Sequence, residues 1–127
     1  MPTPIGNLED ITLRALRILK EVGVVLCEDT SVTQRLFKAY DISTPTTVFY
    51  ANTGIKNIDK IMALLSEGKS LALVSDAGTP TISDPGVLLV QKIYKELPDV
   101  LVTALPGASA LTTALSLSGI SSAQFTF

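Results

Sequence analysis

The stretch Ser70-Leu71-Ala72-Leu73-Val74-Ser75-Asp76-Ala77-Gly78-Thr79-Pro80 decides the fold. Ser70 to Val74 is a short apolar run of strand type. It breaks into small residues that continue through Ile82-Ser83-Asp84-Pro85-Gly86, a Gly- and Pro-containing loop. Asp84-Pro85 has the cap-then-proline form that opens a helix, expected to run through Val90 and Ile93 to a break at Pro98. Upstream, Val24 to Cys27 is a buried strand by its β-branched run, and Thr46 to Tyr50 is a second. Between them lie helical spacings at Val32, Leu36 and Tyr40, and then at Ile58, Ile61, Met62 and Leu65, closed by Gly68. The chain opens with caps at Asp10-Ile11-Thr12 and a helix marked by Leu13, Leu16 and Leu19, stopped at Gly23. Downstream, Val100 to Leu105 reads as a strand, Ala108 to Gly119 as a helix, and Phe125-Thr126-Phe127 as the start of another strand. Strands separated by helices imply parallel pairing with right-handed crossovers. The expectation is one α/β domain over residues 1–127, a three-layer αβα sandwich on a mostly parallel sheet.

Composition agrees with a single packed domain. The 127 residues are 46% hydrophobic and 17% charged, which excludes disorder. The longest strictly apolar stretches are a few residues, against the ~20 that a spanning helix needs, and no secretory signal is readable. With no His there is no Ser-His-Asp triad, no His base and no His-ligated metal. The single Cys27 sits in an apolar run and reads as a buried strand residue, not a nucleophile. Ten Lys and Arg against twelve Asp and Glu give a net charge of −2, which is not the footprint of binding nucleic acid by bulk charge. All three arginines, Arg14, Arg17 and Arg35, nonetheless fall in the first 35 residues, where they form a candidate local basic face. No metal site is expected, and a soluble cytosolic protein is.

In open α/β sheets ligands sit outside the carboxyl ends of the strands. Three unusual segments lie at such edges: Pro2-Thr3-Pro4-Ile5-Gly6-Asn7, the run from Ser75 to Gly86, and Pro106-Gly107-Ala108-Ser109. Gly admits close backbone approach or positive φ, and Pro fixes the adjoining turn. Rigid loops of this kind, lined with amides and hydroxyls, suit the carboxylate, ribose and base edge of a nucleoside ligand. None carries GxGxxG or GxxxxGK[ST], so neither a dinucleotide nor a nucleoside triphosphate is favoured.

The stretches PTPIGNLEDITLRAL at 2–16, CEDT at 27–30, LVSDAGTPTISDPG at 73–86 and LPGASAL at 105–111 together resemble the tetrapyrrole methylase family, most closely its ribosomal-RNA-modifying branch. The resemblance implies an S-adenosylmethionine-dependent methyltransferase of two α/β domains, with the cofactor in the cleft between them and the protein paired as a homodimer. This chain looks like the N-terminal domain of such a protein, with the family's opening strand missing or reduced to Met1. By the same resemblance, Gly78, Thr79 and Pro80 with Ile82 form a cofactor loop, Gly107, Ala108 and Ser109 a second contact, and Pro4 to Gly6 the first loop; Asp76 joins them, while Asp84, by its position before Pro85, reads as a helix cap. The implied reaction places a methyl group on a cytidine 2′-hydroxyl of 16S rRNA in the small ribosomal subunit.

A sulfonium donor needs no covalent enzyme intermediate, only an acceptor held in line, with a carboxylate available as base. Asp29 and Glu28, at a strand end, are the candidate bases, and Asn7 a candidate for orienting the acceptor. Arg14, Arg17 and Arg35 are candidate phosphate contacts. The chain departs from the family pattern at Ser31, Val32 and Gln34, where basic residues are usual, and at Thr81, which stands for a usual Gly. A β-branched residue there resists positive φ and narrows the loop. Two other readings stay open: methylation of a tetrapyrrole or other small molecule, and a catalytically silent domain serving folding or dimerisation.

Overall fold

The computed structural model describes residues 1–49, 55–82 and 86–126. After a 3-10 turn at Leu8–Asp10, the order is α1 (Leu13–Glu21), β1 (Val24–Cys27), α2 (Thr30–Ala39), β2 (Thr46–Val48), α3 (Ile55–Ser66), β3 (Leu71–Leu73), α4 (Gly86–Glu96) and α5 (Ala110–Leu117). Thr12 caps α1 by accepting from the Ala15 N–H at 3.1 Å, as its position before the apolar run predicts. The chain leaves α1 at Val22, and the Gly23 N–H donates to Ser70 O at 2.9 Å, which sets β1 beside β3.

The sheet has the order β2-β1-β3 with both pairings parallel; Val25 aligns with Thr46 and with Ala72. The central strand is apolar throughout because both of its faces are covered. Its side chains divide between two cores by the period-2 alternation of a strand. Val25 and Cys27 join Ala15, Leu19, Leu36 and Phe37 from α1 and α2. Leu26 joins Ile61, Met62, Leu89 and Ile93 from α3 and α4. The expected αβα sandwich on a parallel sheet is therefore present. Each fully buried Leu or Phe contributes roughly 1.5–3 kcal/mol relative to exposure.

Several expectations need correction. Val100 to Leu105 is not a strand: it makes no ladder, because an apolar cavity separates it from β3, the nearest strand edge. Phe125 and Thr126 likewise form no strand and are exposed. The second strand stops at Val48, although Phe49 N–H still reaches Cys27 O at 2.7 Å. Leu13 does not pack: it is 85% exposed. The buried face of α1 is Ala15 and Leu19, four residues apart, with Leu16 and Ile18 at its margins, and Ile11, ahead of the helix, packs in the same core. Tyr50, the helix opening at Asp84-Pro85, and Phe127 lie outside the described residues.

Candidate functional site

The loops after β1 and β3 leave the sheet toward opposite faces. The chain after β1 enters α2, whose Leu36 and Phe37 pack in the first core. The chain after β3 leads to α4, whose Leu89 and Ile93 pack in the second. Adjacent parallel strands whose connections diverge leave a crevice at their carboxyl ends, the usual ligand position in such folds. A cavity of about 140 Å³ lies there, bordered by Thr3, Pro4, Gly6, Thr33, Arg35, Ser75 and Asp76 among others.

The three segments singled out from sequence converge beside it. Thr3 and Gly78 form an antiparallel bridge, each N–H donating to the other's carbonyl at 3.0 Å. The Thr3 hydroxyl is buried and donates to Ser75 O at 2.9 Å, and the Ser75 hydroxyl donates to Gly78 O at 3.1 Å. Thr79 Oγ1 donates to Ala108 O at 3.0 Å, which brings in the third loop. Gly78 stands where all three meet. Its φ of 81° is in the left-handed region, and a Cβ there would lie 3.4 Å from Ile5 Cγ2 and 3.7 Å from Ala108 O. Gly107 is packed against Pro2 so closely that a Cβ would fall 2.8 Å from Pro2 Cβ. Pro80 is buried, Ala108 and Ser109 are half-buried, and Ile82 is 61% exposed. Ser109 caps α5 by position, but its hydroxyl makes no capping hydrogen bond. Thr81 adopts φ 72°, the conformation its side chain resists.

The carboxylates divide their work. Asp29 caps α2: Oδ1 accepts from the Ser31 N–H at 2.7 Å. The Ser31 hydroxyl first, then the Ser31 N–H, with lesser help from Val32 and Arg35, holds its carboxyl below the ordinary carboxylate value. Its own N–H donates to Asp76 Oδ1 at 3.0 Å, so Asp76 ties the end of β3 to the start of α2. Asp76 is exposed, and Oδ2 has no hydrogen-bond partner among the described residues. Glu28 is half-buried beside them. Asn7 is occupied as the cap of the 3-10 turn, its Oδ1 accepting from the Glu9 N–H at 3.0 Å. Cys27 is a buried free thiol, pushed up by burial.

The arginines do not form one face. Arg35 borders the cavity and makes no salt bridge among the described residues. Arg17 pairs with Glu21 at 2.8 Å on the exposed side of α1, and Arg14 is exposed on the same helix. Sequence reasoning marked the segments that hold Thr3 and Ser75 but named neither residue as a candidate, and it missed Thr33; all three are buried polar residues at the cavity. A hydroxyl at the end of a buried strand was the available signal for Ser75. Among the described residues no cluster of side chains suits a metal ion, and no helix is long and apolar enough to cross a membrane.

Comparison with known proteins agrees with this architecture. Residues 2–126 match the family model of the tetrapyrrole (corrin/porphyrin) methylases. The chain is 49% identical over 125 residues to the ribosomal RNA small subunit methyltransferase I of Thermotoga maritima, covering 98% of this chain and 55% of that protein. It is 49% identical over 128 residues to the enzyme of that name from a Hydrogenobaculum species, covering 100% and 55%. It is 46% identical over 129 residues to that of Bacillus subtilis, covering 100% and 43%. The chain thus spans about half the length of the curated relatives it matches. With a matching family model along nearly all of its length and the parallel αβα architecture to go with it, the chain belongs to the tetrapyrrole methylases.

Proposed function

We propose that this chain is the first α/β domain of a two-domain S-adenosylmethionine-dependent methyltransferase acting on ribosomal RNA, delivering the methyl group to a cytidine 2′-hydroxyl of 16S rRNA. The observation that carries the reading is the junction of three loops on Gly78, at the carboxyl edge of a parallel sheet. The fit to the cofactor rests on the donor set. Small residues (Gly78, Gly107, Ala108) expose backbone, and the Thr79 and Ser109 hydroxyls flank it. That combination suits a nucleoside and an amino-acid carboxylate better than it suits a phosphate chain.

When bound, the sulfonium supplies an activated methyl group. The protein's part is orientation, which is where most of the rate gain in such transfers arises. In this reading Gly78, Thr79, Pro80, Ile82, Gly107, Ala108 and Ser109 hold the donor, with Pro4 and Gly6 closing the adjoining cavity. Asp76 is exposed, and its Oδ2, with no hydrogen-bond partner among the described residues, accepts the proton of the acceptor hydroxyl. Asp29 is the poorer base of the two, since its capping bonds hold its carboxyl in the ionised form at low pH and Oδ1 is already committed. Arg35, at the cavity rim, meets a phosphate of the RNA. The similarity to relatives named as ribosomal RNA methyltransferases supports this acceptor over a tetrapyrrole.

Calorimetric titration with S-adenosylhomocysteine tests the donor site. Binding by the 127-residue chain that is lost in Thr79→Arg is the expected result. Equal affinity in the two proteins would remove the loop from the site.

A further inference from the structure

The cavity of about 140 Å³ beside the three loops has a polarity of its own. None of the residues from Gly78 to Ile82 or from Gly107 to Ser109 borders it. Thr3, Thr33 and Ser75 do, and all three are buried. Each commits its one hydroxyl proton to a backbone carbonyl: Thr3 to Ser75 O at 2.9 Å, Ser75 to Gly78 O at 3.1 Å, and Thr33 to Asp29 O at 3.1 Å. A hydroxyl so committed has only lone pairs left to offer. Arg35 is the bordering side chain with protons to spare, and it is exposed, as is the Asp76 carboxylate. The buried end thus suits a ligand group that carries hydrogen-bond donors, and charge is confined to the rim.

Size and walls narrow the ligand further. A pocket that encloses a whole small molecule measures roughly 300–1,000 Å³, so this one takes a single ring of something larger. Val32 and Leu36, one turn apart on α2, and Leu8, 43% exposed, supply apolar contact for the faces of such a ring. The Tyr40 hydroxyl donates to Leu8 O at 2.7 Å, which pins the Leu8 wall to α2.

We propose that this cavity receives the base of the methyl-accepting nucleotide, flipped out of its stack, and that Thr3, Thr33 and Ser75 select cytosine over uracil. The inference rests on the proposed function for its nucleotide and adds where, and by which atoms, the base is read. The 4-substituent of a pyrimidine lies opposite the glycosidic nitrogen, so it enters the buried end first. In cytosine it is an amino group, whose N–H donors meet the hydroxyl lone pairs; in uracil it is a carbonyl oxygen, which sets lone pairs against lone pairs. A hydroxyl can turn to meet that oxygen only by giving up its bond to the backbone. The ribose then lies at Asp76 and a flanking phosphate at Arg35, both at the rim.

The test titrates the isotope-labelled 127-residue chain with cytidine 3′,5′-bisphosphate and with uridine 3′,5′-bisphosphate, reading amide chemical shifts. At least tenfold tighter binding of the cytidine compound is expected, with shifts at Thr3, Thr33 and Ser75. Thr33→Val and Ser75→Ala each remove a hydroxyl without orphaning a carbonyl. Asp29 O keeps the Thr33 N–H at 3.1 Å and Gly78 O keeps the Thr3 N–H at 3.0 Å. Each variant should lower cytidine affinity toward the uridine value and leave the uridine value unchanged. Equal affinities, no binding of either compound, or a preference that survives both substitutions overturns the proposal. The titration is repeated with saturating S-adenosylhomocysteine. Displacement of the cytidine compound would assign the pocket to the donor's adenine and overturn the proposal as well. A chain that keeps its cytidine preference but binds no S-adenosylhomocysteine would refute the donor loop and leave this pocket standing.

Discussion

Replacing Gly107 by Ala tests whether the loops are locked together as described. The new Cβ would stand 2.8 Å from Pro2 Cβ and 2.9 Å from Pro2 Cγ. Ordinary carbon contacts begin near 3.5 Å, so one loop must retreat by roughly 0.6–0.7 Å. Neither is free to do so cheaply. Pro2 is a rigid ring between Met1, held at Leu73 O, and Thr3, paired to Gly78. On the other side, Leu105 is buried in the core and Ala108 O is held by Thr79. Overpacking of this kind costs about 1–3 kcal/mol. Gly107 has no positive φ, so Ala also lowers the entropy of the unfolded chain, offsetting about 0.4–1 kcal/mol. The net loss is about 0–2.6 kcal/mol, and about 1–3 kcal/mol relative to Gly6→Ala, which shares the entropy gain, read as a lower urea midpoint at constant slope. Gly6→Ala is the control, because nothing lies within 4 Å of its Cβ position. Gly6→Ala is expected to be neutral or slightly stabilising. If Gly107→Ala unfolds at the same midpoint as Gly6→Ala, the close approach of the two loops is wrong. A cycle with Pro2→Gly should recover most of the loss, since the clash disappears with the ring.

Thr81→Gly relieves a left-handed β-branched residue, about 1–2 kcal/mol, less about 0.5–1 for the entropy of glycine, and should stabilise the chain by up to about 1.5 kcal/mol in urea unfolding; a loss of stability would mean that the interactions Thr81 makes outweigh the strain at φ 72°. Leu19→Ala should cost about 2–5 kcal/mol and Leu13→Ala less than about 0.5, because Leu19 is fully buried and Leu13 is 85% exposed; similar midpoints would refute the assigned α1 face. The Asp29 cap carries a pH signature. Its folded value lies below its ordinary 3.8, so its contribution is complete above that value and fades as pH falls below it. Asp29→Asn keeps the capping oxygen without the titration, so its acid unfolding profile should be flatter there; superimposable profiles would show that the cap does not titrate with folding.

Much of the fold was legible because it rests on local chemistry. Thr12 before an apolar run is a cap wherever the helix packs, and Val24 to Cys27 is too β-branched and apolar to be anything but a covered strand. Glycine and proline marked the three loops for the same reason, since positive φ at Gly78 and the Pro turns are properties of single residues. Whether Val100 to Leu105 is a strand was not legible. A strand exists only with a partner, and the partner's place beside β3 is an apolar cavity. Leu13 misled because spacing cannot choose between overlapping stripes without knowing where the sheet lies.

The candidate site divides in the same way. Asp29, Glu28 and Asp76 were visible as carboxylates after strands, and the Asp29 cap is a local contact, but only tertiary contact showed Asp76 accepting from the Asp29 N–H. Arg14, Arg17 and Arg35 were equivalent in sequence, and the packing of α2 against β1 singled out Arg35 for the cavity. By itself the sequence determined which segments turn, cap and extend, because those choices are made by each residue's own backbone freedom and its near neighbours. The tertiary structure decided which loops meet on Gly78, which strand edge stays open and which charged groups face the crevice, because pairing and burial belong to residues distant in the chain.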